Sequence, residues 1–314
     1  MKKSEVDYFF EDLPVLGEMP PKIRAIKFEE FESKKDISTA KAIREDLKAS
    51  SMQGFTFLGR GKKRPCENTA HTFGFIPQLD LGKEKFVEIK HASNIEPDMS
   101  LKNKRIKITL GALGAADYPG DGMHRILFDF YAQNQLPTKQ VEKVHFNQTF
   151  RVQDGQQAGI IGYPIFIGLN VGSQGIDFKC YTVNVKNDND EKILNFLGGD
   201  VFKSGLKLAK TAQPAIVPLA NIAVGITRMV ASRNKNVPVQ DIFMGLDFSA
   251  TPFTARLSKG SYVAVQIPQE DRREWDWKNW VYDQQNMLVV NKDDKNQLIP
   301  YNFIIFNVNE YTED

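Results

Sequence analysis

The sequence predicts a mainly β protein: an antiparallel β-sandwich with an inserted helical segment, preceded by a partly helical N-terminal region. Three observations lead there. From Phe86 onward, short alternating or strongly apolar segments recur between Gly, Pro, Asn and Asp residues, the signature of an all-β domain. No regular strand–helix–strand alternation occurs, which disfavours a doubly wound parallel sheet. One block, 191–235, carries helical periodicity instead. The organisation read from this is an N-terminal region over 1–50 and a sandwich domain over 51–314, with the helical insertion at about 191–235.

Each element has its own warrant. Pro14, Pro20 and Pro21 punctuate the first region, and Ala40, Ile43 and Leu47 recur at helical spacing within 38–49. Residues 51–63 are Gly-rich and basic, like an exposed loop or hairpin. In FVEIKHA (86–92), Val87 and Ile89 share a face opposite Phe86 and Glu88. RIKITLGAL (105–113) sets Ile106, Ile108 and Leu110 against Arg105, Lys107 and Thr109. RILFDFYAQ (125–133) follows a Pro-Gly-Asp-Gly turn, and the pattern continues through 141–155, 163–171 and 176–185. The helical block breaks at 213–218. Beyond the break, Leu219, Ile222, Ala223, Ile226, Met229 and Val230 form one apolar stripe. Strands resume at 241–249, 261–268, 286–291 and 301–309. The last two are joined by KDDKNQLIP, a polar connection suited to a hairpin.

Composition narrows the class. The 314 residues hold 41 Lys plus Arg against 39 Asp plus Glu, a net charge of +2 that argues against a strongly basic nucleic-acid binder. With 41% apolar residues the chain can bury a sizeable core, so extensive disorder is not expected. Cys66 and Cys180 are too few and too distant for a disulfide framework. The apolar stretch near the start is broken by Asp7, Glu11 and Asp12, unlike a signal peptide, and no run reaches the length of a spanning helix. A cytoplasmic location follows as the expectation, with peripheral membrane contact left open.

The stretch 105–133, with its strand RIKITLGAL, acidic loop ADYPGDG and apolar strand RILFDFYAQ, resembles the opening of a C2-type β-sandwich. That resemblance covers about a tenth of the chain, and the helical block departs from the usual plan. It implies loops at one end of the sandwich that bind calcium through Asp side chains and touch phospholipid. Asp117 and Asp121 stand where the first such loop would be. Calcium needs six to eight oxygen ligands, and Asp188, Asp190 and Glu191 offer further carboxylates if their loop lies at the same end. The alternative is that Asp, Pro and Gly make the turns and the acids are solvated.

Other chemistry is sparser. Arg60, Lys62, Lys63 and Arg64 form a basic cluster that can meet phosphate groups or stand as a solvated loop. Gly54 and Gly59 have phosphate-loop spacing, but Arg60 follows where Lys is required, which excludes that motif. Cys66 beside these cations, with His71 five residues on, sketches a thiol nucleophile and base without an orienting third group. His71, His91, His124 and His145 show no zinc spacing; His124 and His145 read as surface or strand-face residues.

Trp275, Trp277 and Trp280 fall within EWDWKNWVYD, and the first two share a face if the segment is extended. Such platforms bind sugars, peptides or a membrane interface, or else close a core. Between 201 and 235, Lys203, Lys207, Lys210, Arg228, Arg233 and Lys235 occur with no Asp or Glu. That one-signed block suits an anionic membrane surface, a partner groove, or a helix docked on the sheet.

With no catalytic signature, the sequence favours a non-catalytic binding or adaptor module for a protein partner or an anionic membrane, without a cofactor unless calcium. Two alternatives stand beside it. One is a membrane-active effector that uses the 201–235 block. The other is a thiol-dependent hydrolase around Cys66 and His71.

Overall fold

The computed structural model describes residues 65–78, 84–120, 122–135, 141–158, 160–185, 237–249 and 254–312. Within them the chain is mainly β. The strands run β1 (Ala70–Pro77), β2 (Phe86–Glu88), β3 (Lys90–His91), β4 (Arg105–Ala115) and β5 (Met123–Gln135). Then come β6 (Val141–Gln153), β7 (Gln156–Gln157), β8 (Tyr163–Asn170), β9 (Gly175–Asn184) and β10 (Val237–Asp247). The last are β11 (Ala255–Arg256), β12 (Gly260–Ile267), β13 (Trp280–Asp283), β14 (Leu288–Asn291) and β15 (Phe303–Glu310). The described helical elements are three-residue 3-10 turns, and no described helix is long and apolar enough to cross a membrane. The N-terminal region 1–50 and the block 191–235 lie outside the described residues.

Three sheets result. A seven-stranded sheet runs β3-β1-β12-β15-β4-β7, with β8 also paired to β4; a five-stranded sheet runs β11-β10-β9-β5-β6; a three-stranded sheet runs β14-β13-β2. Pairing is antiparallel except for the short β10–β11 contact.

The seven-stranded sheet is apolar on both faces because its central strands are. β12 (GSYVAVQI) is buried at six consecutive positions, and FIIF opens β15. Such continuous runs fit a doubly covered strand. Tyr262, Ala264, Ile304 and Phe306 join a core shared with Ile126, Phe128, Phe130 and Phe178 of the five-stranded sheet. Phe178 meets Phe306 there with ring centroids 4.8 Å apart. On the opposite face Val263, Val265, Ile267, Phe303 and Ile305 join a second core with Val87, Trp277, Trp280 and Val289.

Alternation along β4 holds as the sequence suggests for Ile106, Ile108 and Leu110, all buried. A register shift then skips Gly111 between its neighbours' partners Phe306 and Ile305. That bulge moves the inward set to Leu113 and Ala115.

Two expectations are corrected. The segments at 286–291 and 301–309 do not form a hairpin: β14 pairs with β13, whereas β15 lies between β12 and β4. The apolar faces of β15 explain this, since only a central position buries both. FVEIKHA is not one strand. It leaves the three-stranded sheet at β2, buries Ile89 and enters the seven-stranded sheet at β3.

Candidate functional site

The tryptophans lie on the junction between these two sheets. A 3-10 turn at Asp271–Arg273 lets the Trp275 amide donate to the Asp271 carbonyl at 2.8 Å. Asp276 then caps the turn Trp277–Asn279, its Oδ1 accepting from the Lys278 amide at 2.9 Å. The segment is therefore not extended, and Trp275 and Trp277 do not share a strand face. Trp277 points inward, 4% exposed. Its Nε1 donates to Thr72 Oγ1 of β1 at 3.1 Å. Gly74 makes room for it, since a Cβ there would sit 2.8 Å from the indole. Trp280, at the start of β13, is also buried.

Trp275 is half-buried and completes the cluster. Its ring lies against Trp280, centroids 5.4 Å apart and planes 8° from parallel. It meets Trp277 edge-on at 5.4 Å. The Trp275 Nε1 is buried and donates to no acceptor among the described residues. Beside it, Tyr301 donates to Asp271 Oδ2 at 2.6 Å. Burial, then that carboxylate, push the Tyr301 hydroxyl up to about 12.

These indoles border a cleft of about 570 Å³, within the range of small-ligand and side-chain pockets. Its other walls are Glu88, Ile89, Lys90 and His91 of the β2–β3 edge, with Asn94, Asp276, Lys278 and Lys292. Lys292 pairs with Glu88 at 3.2 Å. Lys90 and Lys278 are exposed and form no ion pair among the described residues. His91 Nδ1 accepts from the Ser93 amide at 3.2 Å, and partial burial lowers the ring's pKa. The rim is polar with an excess of cation; the floor is aromatic.

The remaining sequence candidates lie elsewhere. Asp117 is clamped by its backbone: its amide donates to Asn302 Oδ1 at 3.0 Å, and Asn302 Nδ2 donates to its carbonyl at 2.8 Å. Its carboxylate accepts from the Cys66 amide at 3.5 Å. Asp121, Asp188 and Asp190 lie outside the described residues. So do Arg60, Lys62 and Lys63, and Lys203, Lys207, Lys210, Arg228 and Arg233. Among the described residues, no three His, Cys, Asp or Glu side chains come together to hold a metal. Cys66 and Cys180 are both buried and not joined in a disulfide. The His71 ring stacks with Phe73, centroids 6.5 Å apart.

His124, read as a surface or strand-face residue, lies on β5 and is 3% exposed. Its Nε2 bonds the Asp154 carboxylate and its Nδ1 accepts from Asn184 Nδ2 at 3.2 Å; the same two partners hold the acidic loop, Asp154 Oδ2 accepting from the Gly122 amide at 3.0 Å and Asn184 Nδ2 donating to the Pro119 carbonyl at 2.7 Å. A polar partner on each ring nitrogen makes the burial possible.

Sequence reasoning missed Glu88, Lys90, His91, Asn94, Lys278 and Lys292 as companions of the tryptophans. The one available signal was the exposed charge in FVEIKHA. No family model, curated protein or solved structure matches the chain.

Proposed function

We propose that this chain is a non-catalytic binding module that recognises a segment of a protein partner in the tryptophan-lined cleft. The observation that carries the reading is a cleft of about 570 Å³ whose floor is Trp275, Trp277 and Trp280 and whose rim is charged. Aromatic anchors in a pocket with a polar rim are the usual energetic centre of an interface. The seven- and five-stranded sheets with their common core read as the two layers of a C2-like sandwich, to which the three-stranded sheet adds a recognition surface.

A photo-crosslinking residue at position 278 tests this, with a second at Phe243, which is exposed on β10 in the other sheet. Adducts from 278 that disappear in a Trp275→Ala background support the cleft. Adducts from 243 alone, or adducts from 278 indifferent to Trp275, overturn it.

The second reading is attachment to an anionic membrane through the basic 201–235 block, favoured by six Lys or Arg and no acidic residue there. Co-sedimentation with neutral and anionic vesicles, with calcium and with chelator, separates its forms. Salt-sensitive, calcium-independent binding points to the basic block, and calcium-dependent binding to Asp117 and its loop. No sedimentation under any condition removes both.

A further inference from the structure

We infer that two copies of this chain join edge to edge through β6, pairing antiparallel about a two-fold axis at Gln148 and doubling the five-stranded sheet. The inference stands apart from the cleft and does not rest on it.

The free edge follows from the ladder. β6 is the last strand of its sheet and pairs with β5 alone among the described residues. That pairing runs the whole length of Val141–Gln153 without a register shift. Its parity is fixed just past the strand end, where the Asp154 amide donates to the Gly122 carbonyl at 3.2 Å. Hydrogen-bonded pairs recur at every second residue of an antiparallel ladder, so the even-numbered residues of β6 turn their main-chain groups to β5. The other side of β5 agrees. There the Val185 amide donates to the Arg125 carbonyl at 2.8 Å, so the odd-numbered residues of β5 face β9. The odd-numbered residues of β6 therefore point their amides and carbonyls out of the sheet. Among the described residues nothing bonds the outward main chain of Thr149, Arg151 or Gln153, and the last two residues are exposed.

The other edges are short or bulged. β3, β7 and β11 hold two residues each, and β8 meets β4 through two register shifts. Short and irregular edges resist strand addition, and β6 has neither protection.

A second copy is the occupant because the strand complements itself. In a symmetric antiparallel pair, outward main-chain groups meet only where odd residues oppose odd ones. Centred on Gln148, Thr149 opposes Asn147 of the second copy, Arg151 opposes His145 and Gln153 opposes Lys143. No two Lys, Arg, Asp or Glu residues meet. On the other parity Phe150 opposes Phe146 and Val152 opposes Val144, apolar against apolar. Phe150 is only partly buried within one copy, packed at the rim of the core. Neighbouring registers are poorer. Centred on Asn147, Arg151 opposes Lys143 and Phe146 opposes Gln148; centred on Thr149, Phe150 opposes Gln148 and Val144 opposes Asp154. Like charges and unmatched apolar residues thus select the Gln148 register.

The test is sedimentation equilibrium of the full chain from about 1 to about 100 µM, where a dimer in whole or in part is expected. Thr149→Pro removes one outward amide and spares the β5 ladder, which that amide does not join. It should weaken the dimer by about tenfold or more. Asn147→Lys with Thr149→Lys sets like charges opposite each other twice without altering the main chain. It should weaken the dimer likewise, and it keeps the test valid if the proline variant misfolds. Oxidised Gln148→Cys should link the copies across the axis. Asn147→Cys should not, because residues 147 of the two copies are offset by two positions, beyond disulfide reach. The native Cys66 and Cys180 are buried.

A monomer throughout that range overturns the inference. So does a dimer that both the proline and the double-lysine variants leave at full strength, since it then forms through another surface. Crosslinking at 147 in place of 148 overturns the Gln148 register.

Discussion

Trp275 lies face to face with Trp280, 8° from parallel and 5.4 Å between centroids, while its own N–H meets no acceptor among the described residues. Its neighbour Trp277 has the opposite arrangement, being fully engaged through Thr72. One indole is therefore structural, and the other carries an unmet demand.

That contrast predicts different costs for the same substitution. Trp277→Phe loses core area and the donor to Thr72 Oγ1, and should destabilise by about 2 kcal/mol. Trp275→Phe also loses area but removes a buried unpaired donor, so the two effects offset to within about 1 kcal/mol. Urea unfolding of both variants checks this. Equal losses would mean that the Trp275 N–H finds a partner in solution.

Gly74 is the second test of the junction. A Cβ there would stand 2.7 Å from Ile89 Cγ2 and 2.8 Å from the Trp277 ring, and both groups are buried. Overpacking of this kind costs about 1–3 kcal/mol, so Gly74→Ala should lower the unfolding midpoint. Because Trp277 lines the cleft, the same variant should also change partner affinity.

What could be read in advance follows from how locally each feature is encoded. β4, β5, β9 and β12 declare themselves by alternation or by continuous apolar runs within one segment. β1 does not, because Gly74, which looks out of place in a strand, is there to make room for Trp277. The three-stranded sheet was illegible for the same reason: β2 and β13 touch across nearly two hundred residues, as in the Tyr282–Val87 pair. The tryptophans could be singled out by composition alone. Their companions Lys90 and Glu88 could not, since charged residues on a short strand look like any solvated edge. His124 lies on a strand face, and nothing local in the sequence announces its partners Asp154 and Asn184.

Asn302 holds the acidic loop to the sheets. It is fully buried, bonds Asp117 through both its amide atoms, and donates from Nδ2 to Gln266 Oε1 at 3.1 Å. Gln266 Nε2 in turn donates to the Asn68 and Val239 carbonyls at 2.6 Å each. Asn302→Ala leaves several of these groups unpaired, at about 1–3 kcal/mol apiece before relaxation, so a loss of at least 2 kcal/mol is expected. Amide hydrogen exchange at Asp117 should quicken more than at β12. A uniform change across the chain would show that Asn302 supports the fold in general and not this loop.

The last prediction concerns acid. Burial lowers the His71 pKa from 6.5 to about 4, an effect that Asp241 and the Thr69 carbonyl only partly offset. Its Nε2 is buried without a hydrogen-bond partner among the described residues, consistent with a ring kept neutral. The unfolded chain binds a proton here below pH 6.5, while the folded one does so only near pH 4. Stability is therefore fully present above pH 6.5 and falls with decreasing pH at about 1.4 kcal/mol per unit, levelling off near pH 4 after about 3 kcal/mol. Burial lowers the His91 pKa too and adds to this slope, whereas Asp177, whose pKa is raised by burial and by Asp247, opposes it at the acid end. Subtraction isolates His71. The difference in unfolding free energy between the parent and His71→Phe should be nearly constant above pH 7 and shift in favour of the variant between pH 6.5 and 4. A difference that stays flat across that window would mean that water reaches the ring and that its burial does not hold in solution.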